Sequence, residues 1–198
     1  MSRRQVGLFG GSFNPPHVCH SLASVWALQT TPIEEVWWVP TYNHAFGKDL
    51  VSFEDRVEMC RLATDGLNHV AISQIERELG GESRTFDTVK ALREKHPDCD
   101  FSLIVGTDIL AETHKWKNWD GLMEMVELVV VGRGGYLEDK SSTNAPAFSL
   151  PQVSSTAVRE AITAGQRDGI LRDWMVLEVL AYIDEHDLYS GAGEEDSE

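Results

Sequence analysis

Apolar residues in this chain come as short bursts separated by longer stretches of helical period. Val6-Gly7-Leu8-Phe9 is one burst, within residues 5–10, and Val36-Trp37-Trp38-Val39 is another, within 35–40, stopped by Pro40. Residues 70–73, 101–106 and 128–131 are of the same kind. Short runs rich in β-branched and aromatic residues predict buried strands. Helical periodicity covers residues 17 or 18 to 29, with Leu22, Val25, Trp26 and Leu28 expected to face inward, then 52–65 and 85–96. Residues 120–125, 154–164 and 173–186 are further helices. Ser52 with Asp55 three positions on marks a helix start, and Gly66 marks a stop. Residues 41–51 and 132–152 read as loops. Alternating β and α elements with apolar strands predict an α/β protein with a doubly wound parallel sheet. Ligands of such sheets bind beyond the carboxyl ends of the strands. Gly10-Gly11, Pro40-Thr41 and Gly106-Thr107-Asp108 fall at such ends.

The first of these ends carries the most chemistry. After the strand come Gly10-Gly11-Ser12-Phe13-Asn14-Pro15-Pro16-His17-Val18-Cys19-His20. The two glycines are expected to turn the backbone and let it approach a ligand, and two prolines stiffen the loop. His17 and His20 stand three apart, on one face of the helix that follows. Strand, glycine turn and helix start form an anion site, with backbone N–H groups and the positive end of the helix dipole directed at it. The spacing matches neither Gly-x-x-x-x-Gly-Lys-Ser/Thr nor Gly-x-Gly-x-x-Gly.

A second fragment, Val153-Ser154-Ser155-Thr156-Ala157-Val158-Arg159, opens a later helix. Ser155 or Thr156 is expected to cap it. Arg159 one turn in is unfavourable against the dipole unless an anion lies between.

Both fragments resemble signatures of the nucleotidylyltransferase superfamily, the first its His-x-Gly-His motif with Cys19 at the glycine, the second its Ile-Ser-Ser-Thr-x-Ile-Arg motif. Ser83-Arg84-Thr85-Phe86-Asp87-Thr88 is similar to the Ser-Tyr-Thr-x-Asp-Thr segment of bacterial nicotinate (nicotinamide) mononucleotide adenylyltransferases, and Gly106-Thr107-Asp108 to their Gly-x-Asp turn. The resemblance runs from Val6 to about Tyr189 and implies a Rossmann-like fold of the nucleotidylyltransferase type, one domain over residues 1–190. It implies transfer of the AMP moiety of ATP to nicotinate mononucleotide, giving the dinucleotide and pyrophosphate in NAD biosynthesis, with Mg²⁺ carried by ATP. His17, His20, Lys48 and Arg159 would be catalytic. Gly10, Gly11, Ser12, Phe13, Cys19, Arg133, Ser154, Ser155 and Thr156 would hold ATP. Arg84, Thr85, Asp108 and Trp116, the last stacking on the pyridine ring, would hold the acceptor. Cys19, at a helix N-terminus between imidazoles, would be open to alkylation that blocks ATP.

Nicotinamide mononucleotide is the alternative substrate. A nucleotide-binding regulator without turnover is a second alternative, and a metal-dependent sensor built on His17, Cys19 and His20 a third. The side chains outside that triad lack Cys-x-x-Cys spacing, and no metal site is expected.

Composition narrows the partners. The formal net charge of −15 disfavours nucleic acid and anionic lipid, so an anionic substrate needs a locally basic pocket. Part of that charge is in residues 191–198, an acidic stretch expected to be disordered. No apolar run reaches membrane-spanning length. Three widely spaced cysteines fit free thiols and a cytoplasmic protein. Homo-oligomerisation is left open.

Overall fold

The computed structural model describes residues 2–43, 50–107, 115–133, 149–167 and 169–190. Among these residues six parallel strands form the central sheet: β1 (Arg4–Gly11), β2 (Glu35–Pro40), β3 (Val70–Ile72), β4 (Cys99–Gly106), β5 (Glu127–Arg133) and β6 (Ser149–Leu150). Their order is β3-β2-β1-β4-β5-β6. The order reverses at β1, which pairs with β2 on one side and β4 on the other. A crevice therefore opens beyond the carboxyl end of β1, where the glycine segment lies. The two-residue β6, paired through Gly132 with Ser149 and Arg133 with Leu150, falls in a stretch the sequence marks as loop. Two residues are too few to show a period.

Helices cover both faces. They are α1 (Val18–Thr30), α2 (Phe53–Thr64), α3 (Ile75–Leu79), α4 (Thr85–Lys95), α5 (Trp119–Met123), α6 (Ser155–Thr163), α7 (Ile170–Trp174) and α8 (Leu177–Glu185). One core packs α1, α2, α6, α7 and α8 against Val36, Trp38 and Ile104. The other packs α3, α4 and α5 against Val6, Leu8, Trp37 and Leu103. Alternate side chains of β2 thus enter opposite cores, as a doubly covered parallel sheet requires.

Three expectations are corrected. Leu22 and Val25 are 38% and 40% exposed; Trp26 faces inward as expected, and the rest of the buried face of α1 is Cys19, Ala23, Ser24 and Ala27. The histidines at its start fix its rotation, and small residues on the buried face let it lie close to the sheet. The helix expected over 173–186 is two helices, α7 and α8, separated by an extended Met175 (φ −133°, ψ 150°). The break lets Leu171, Met175 and Val179 all reach the core. Finally, Gly10 and Gly11 belong to β1, and the left-handed residue after it is Phe13 (φ 46°). A stacked contact with Trp38, centroids 4.8 Å apart and rings 6° from parallel, holds Phe13 in that strained conformation.

Among the described residues no helix is long and apolar enough to cross a membrane. Cys19, Cys60 and Cys99 are all buried.

Candidate active site

The site is assembled where the carboxyl ends of β1 and β2 meet the N-termini of α1 and α6. His17 is the N-cap of α1 and is 3% exposed. Its backbone N–H donates to Nδ1 of His20 at 3.0 Å, and the two rings lie 3.9 Å apart between centroids. Nδ1 of His20 is therefore an acceptor, and in the neutral ring Nε2 carries the proton. His20 also leans on the ring of Phe13, with centroids at 4.9 Å. This gives a rigid donor at the mouth of a helix N-terminus. A Cβ added at Gly10 would meet nothing within 4 Å, so the strand end faces open space there.

The second motif docks on the same loop. Ser155 Oγ donates to the carbonyl of Pro15 at 2.8 Å, and an Arg159 terminal nitrogen donates to the carbonyl of Asn14 at 2.7 Å. The cap of α6 is Ser154, whose Oγ accepts from Ala157 N–H at 3.1 Å, in place of the expected Ser155 or Thr156. Ser155 is thereby released to bind the first motif. A peptide carbonyl supplies part of the negative charge that Arg159 needs one turn into α6. Arg159 also donates to Thr156 Oγ1 at 3.4 Å. An open depression of about 490 Å³ lies over Thr156, Arg159, Glu160, Thr163 and Ala164.

Cys19 points away from this opening. It is 2% exposed, packs within the first core and donates from Sγ to the carbonyl of Pro151 at 3.5 Å. The expected reactive thiol between imidazoles is therefore a buried core residue. Among the described residues no three His, Cys, Asp or Glu side chains converge as a metal-binding group.

A smaller cavity of about 220 Å³ lies on the other side of β2, lined by Glu76, Ser83, Arg84, Asp87 and Thr88 with neighbours 79, 80 and 82. Arg84 is the N-cap of α4 and Thr85 its first residue. Arg84 is already engaged, donating from Nε at 3.1 Å and a terminal nitrogen at 2.6 Å to Glu82. Trp116 packs edge-on against Trp119, centroids 5.7 Å apart, beside the second core. Lys117 next to it reaches Asp87 of α4 at 2.7 Å, which draws the tryptophan segment to this side. Lys48 and Asp108 lie outside the described residues, and Arg133 is placed by its backbone at the end of β5.

Four further residues organise the site. Arg56, 1% exposed, donates to the carbonyls of Val51 (3.1 Å), Ser12 (2.9 Å), Thr41 (2.7 Å) and Tyr42 (3.4 Å). Burial lowers its pKa. Asn14, 2% exposed, accepts at Oδ1 from Val51 N–H (3.2 Å) and Tyr189 O–H (2.8 Å). Burial pushes the Tyr189 phenol up. Glu76, 9% exposed, accepts from Tyr42 N–H and Thr88 Oγ1, both at 3.1 Å. Burial raises its pKa, against hydrogen bonds from Ser83, Tyr42 and Thr88 that lower it. Arg56 has a legible signal, because it lies on the inward face of α2 beside Phe53, Val57 and Cys60. Glu76 has none, since α3 is a single turn.

A profile of the cytidylyltransferase-like family matches residues 8–161, and the chain belongs to that family. Its nearer relatives give a narrower group. A protein of Anaeromyxobacter dehalogenans named "Probable nicotinate-nucleotide adenylyltransferase" is 46% identical over 191 residues, 95% of this chain and 98% of its own length. One of the same name from Myxococcus xanthus is 38% identical over 186 residues, 93% and 94% of the two chains. The fold is also that of Plasmodium falciparum nicotinic acid mononucleotide adenylyltransferase complexed with NaAD, with a TM-score of 0.78 at 21% identity over 94% of this chain and 97% of that one.

Proposed function

We propose that this chain catalyses adenylyl transfer from ATP to nicotinate mononucleotide, forming nicotinate adenine dinucleotide and pyrophosphate. The observation that carries the reading is the joining of the two sequence motifs at one loop, Ser155 to Pro15 and Arg159 to Asn14. That contact brings an imidazole donor, a guanidinium and two helix N-termini to one anion-binding crevice.

An acceptor phosphate oxygen attacks the α-phosphorus, the bond to the bridging oxygen breaks, and pyrophosphate leaves with the Mg²⁺ that ATP brought. No protein nucleophile is required, so the protein contributes position and charge. His20 Nε2–H donates to the α-phosphate, His17 holds the tautomer, and Arg159 with the α6 N-terminus takes the β and γ phosphates. Preorganised donors of this kind act most strongly on charge that develops in the transition state. The cavity at the start of α4 receives the pyridine end, and Arg84, which lines it, meets the carboxylate.

The ion pair between Arg84 and Glu82 favours a second reading, in which nicotinamide mononucleotide is also accepted, because part of the positive charge is already neutralised. Pyrophosphate release with Mg²⁺, ATP and each mononucleotide tests both. Preference for the acid supports the first reading, equal use the second, and no release with either refutes catalysis.

A further inference from the structure

One peptide group in this fold lies between two buried charges of opposite sign. The carbonyl of Thr41 accepts from Arg56 at 2.7 Å, and the N–H of the same peptide, that of Tyr42, donates to Glu76 Oε2 at 3.1 Å. Both charged side chains are almost completely buried, at 1% and 9% exposure. A peptide dipole aligned between a cation and an anion resists rotation, and each charge is partly satisfied through it.

The two charges reach in opposite directions. The Arg56 nitrogen that holds Thr41 also holds the carbonyl of Ser12 at 2.9 Å, in the loop that follows β1. Glu76 holds Thr88 in α4 and is hydrogen-bonded by Ser83. Ser83 Oγ in turn accepts from the N–H groups of Tyr42 (3.0 Å) and Asn43 (3.3 Å), and Ser83 N–H donates to the carbonyl of Asn43 at 3.0 Å. The segment after β2 is thus joined to the wall of the 220 Å³ cavity on one side and to the phosphate loop on the other.

We propose that Arg56 and Glu76 are positioning residues for the transfer reaction, acting through the Thr41–Tyr42 peptide to fix the acceptor cavity relative to the phosphate loop. The assignment of the cavity to the acceptor rests on the reading of function given above. Arg56 does not line the cavity, whereas Glu76 forms part of its wall and holds Tyr42 N–H and Thr88 from there. Glu76 suits the task because an ionised carboxylate is acceptor-only and here meets three donors. A glutamine of the same shape must turn a donor toward one of them, and Ser83 Oγ already accepts two amides.

The test is Glu76→Gln, with Ser83→Ala as the variant that disturbs the same junction without altering a buried charge. Amide hydrogen exchange at Tyr42, Asn43 and Ser83 is expected to accelerate together by about tenfold or more, the loss of one hydrogen bond to a charged group. In steady-state assays kcat/KM for nicotinate mononucleotide is expected to fall about tenfold on the same grounds, through a lower kcat as well as a higher KM, while the KM for ATP stays near wild type. Unchanged exchange, or equal rises in both KM values, overturns the proposal. Absence of turnover by the wild-type chain overturns the substrate reading alone, and the exchange rates then decide whether Glu76 joins the two segments.

Discussion

The backbone N–H of His17 points at Nδ1 of His20, 3.0 Å away, and so determines which nitrogen of His20 faces the crevice with a proton. A histidine pair spaced by three residues is thereby one donor and its orienting partner. His20→Ala is expected to lower kcat by about 100- to 1,000-fold, as loss of a preorganised donor does elsewhere. The thermal transition should move little, because His20 is only partly buried. A change confined to KM would show that His20 binds ATP without stabilising the transition state.

Arg56 ties four carbonyls from two strand ends and the start of α2. Arg56→Met keeps much of the volume and leaves those acceptors unpaired. Its expected cost is about 3 kcal/mol or more, since each buried unsatisfied group costs about 1–3 kcal/mol. Urea unfolding measures it. A cost near zero would show that water replaces the guanidinium.

Glu82 holds Arg84, the side chain proposed above to meet the substrate carboxylate. Glu82→Gln is expected to increase the preference for nicotinate over nicotinamide mononucleotide, and Arg84→Ala to reduce it. Ratios of kcat/KM for the two substrates read this directly. Unchanged ratios in both variants would place the carboxylate elsewhere.

Cys19 is enclosed by the first core, as are Cys60 and, in the second core, Cys99. Iodoacetamide is expected to modify none of the three in the native protein and all three after denaturation. Rapid native labelling of Cys19 with loss of activity would restore the view that it lines the nucleotide site.

Tyr182 donates to Asp55 Oδ1 at 2.9 Å, bringing α8 to the start of α2. Desolvation first, then that hydrogen bond, push its pKa up to about 12. The folded value lies above the unfolded one near 10, so its contribution is complete below pH 10 and is lost as pH rises toward 12. The stability advantage of wild type over Tyr182→Phe should therefore shrink across that window. A constant difference between pH 9 and 12 would refute the shift.

Much of the fold is legible along the chain. Every long strand has an apolar run, and Ser52 caps α2 through Asp55 N–H at 3.0 Å, as its spacing predicts. The single-turn α3 and two-residue β6 are not legible, because elements that short have no period. The rotation of α1 is not legible for a different reason. Its apolar residues are spread around the helix, and Leu22 and Val25 lose the buried face to Cys19, Ala23 and Ala27, which lie there with Trp26.

By itself the sequence determined the class of chemistry. Double glycine, histidine pair and serine-serine-threonine-arginine are local groupings, and each needs only its own helix start to be useful. Tertiary structure decided how they act together. Ser155 meets Pro15 across 140 positions, Tyr189 meets Asn14 across 175, and Arg56 meets Thr41 across 15. Such contacts leave no trace in local periodicity, because they depend on where parallel strands and their crossovers carry distant loops.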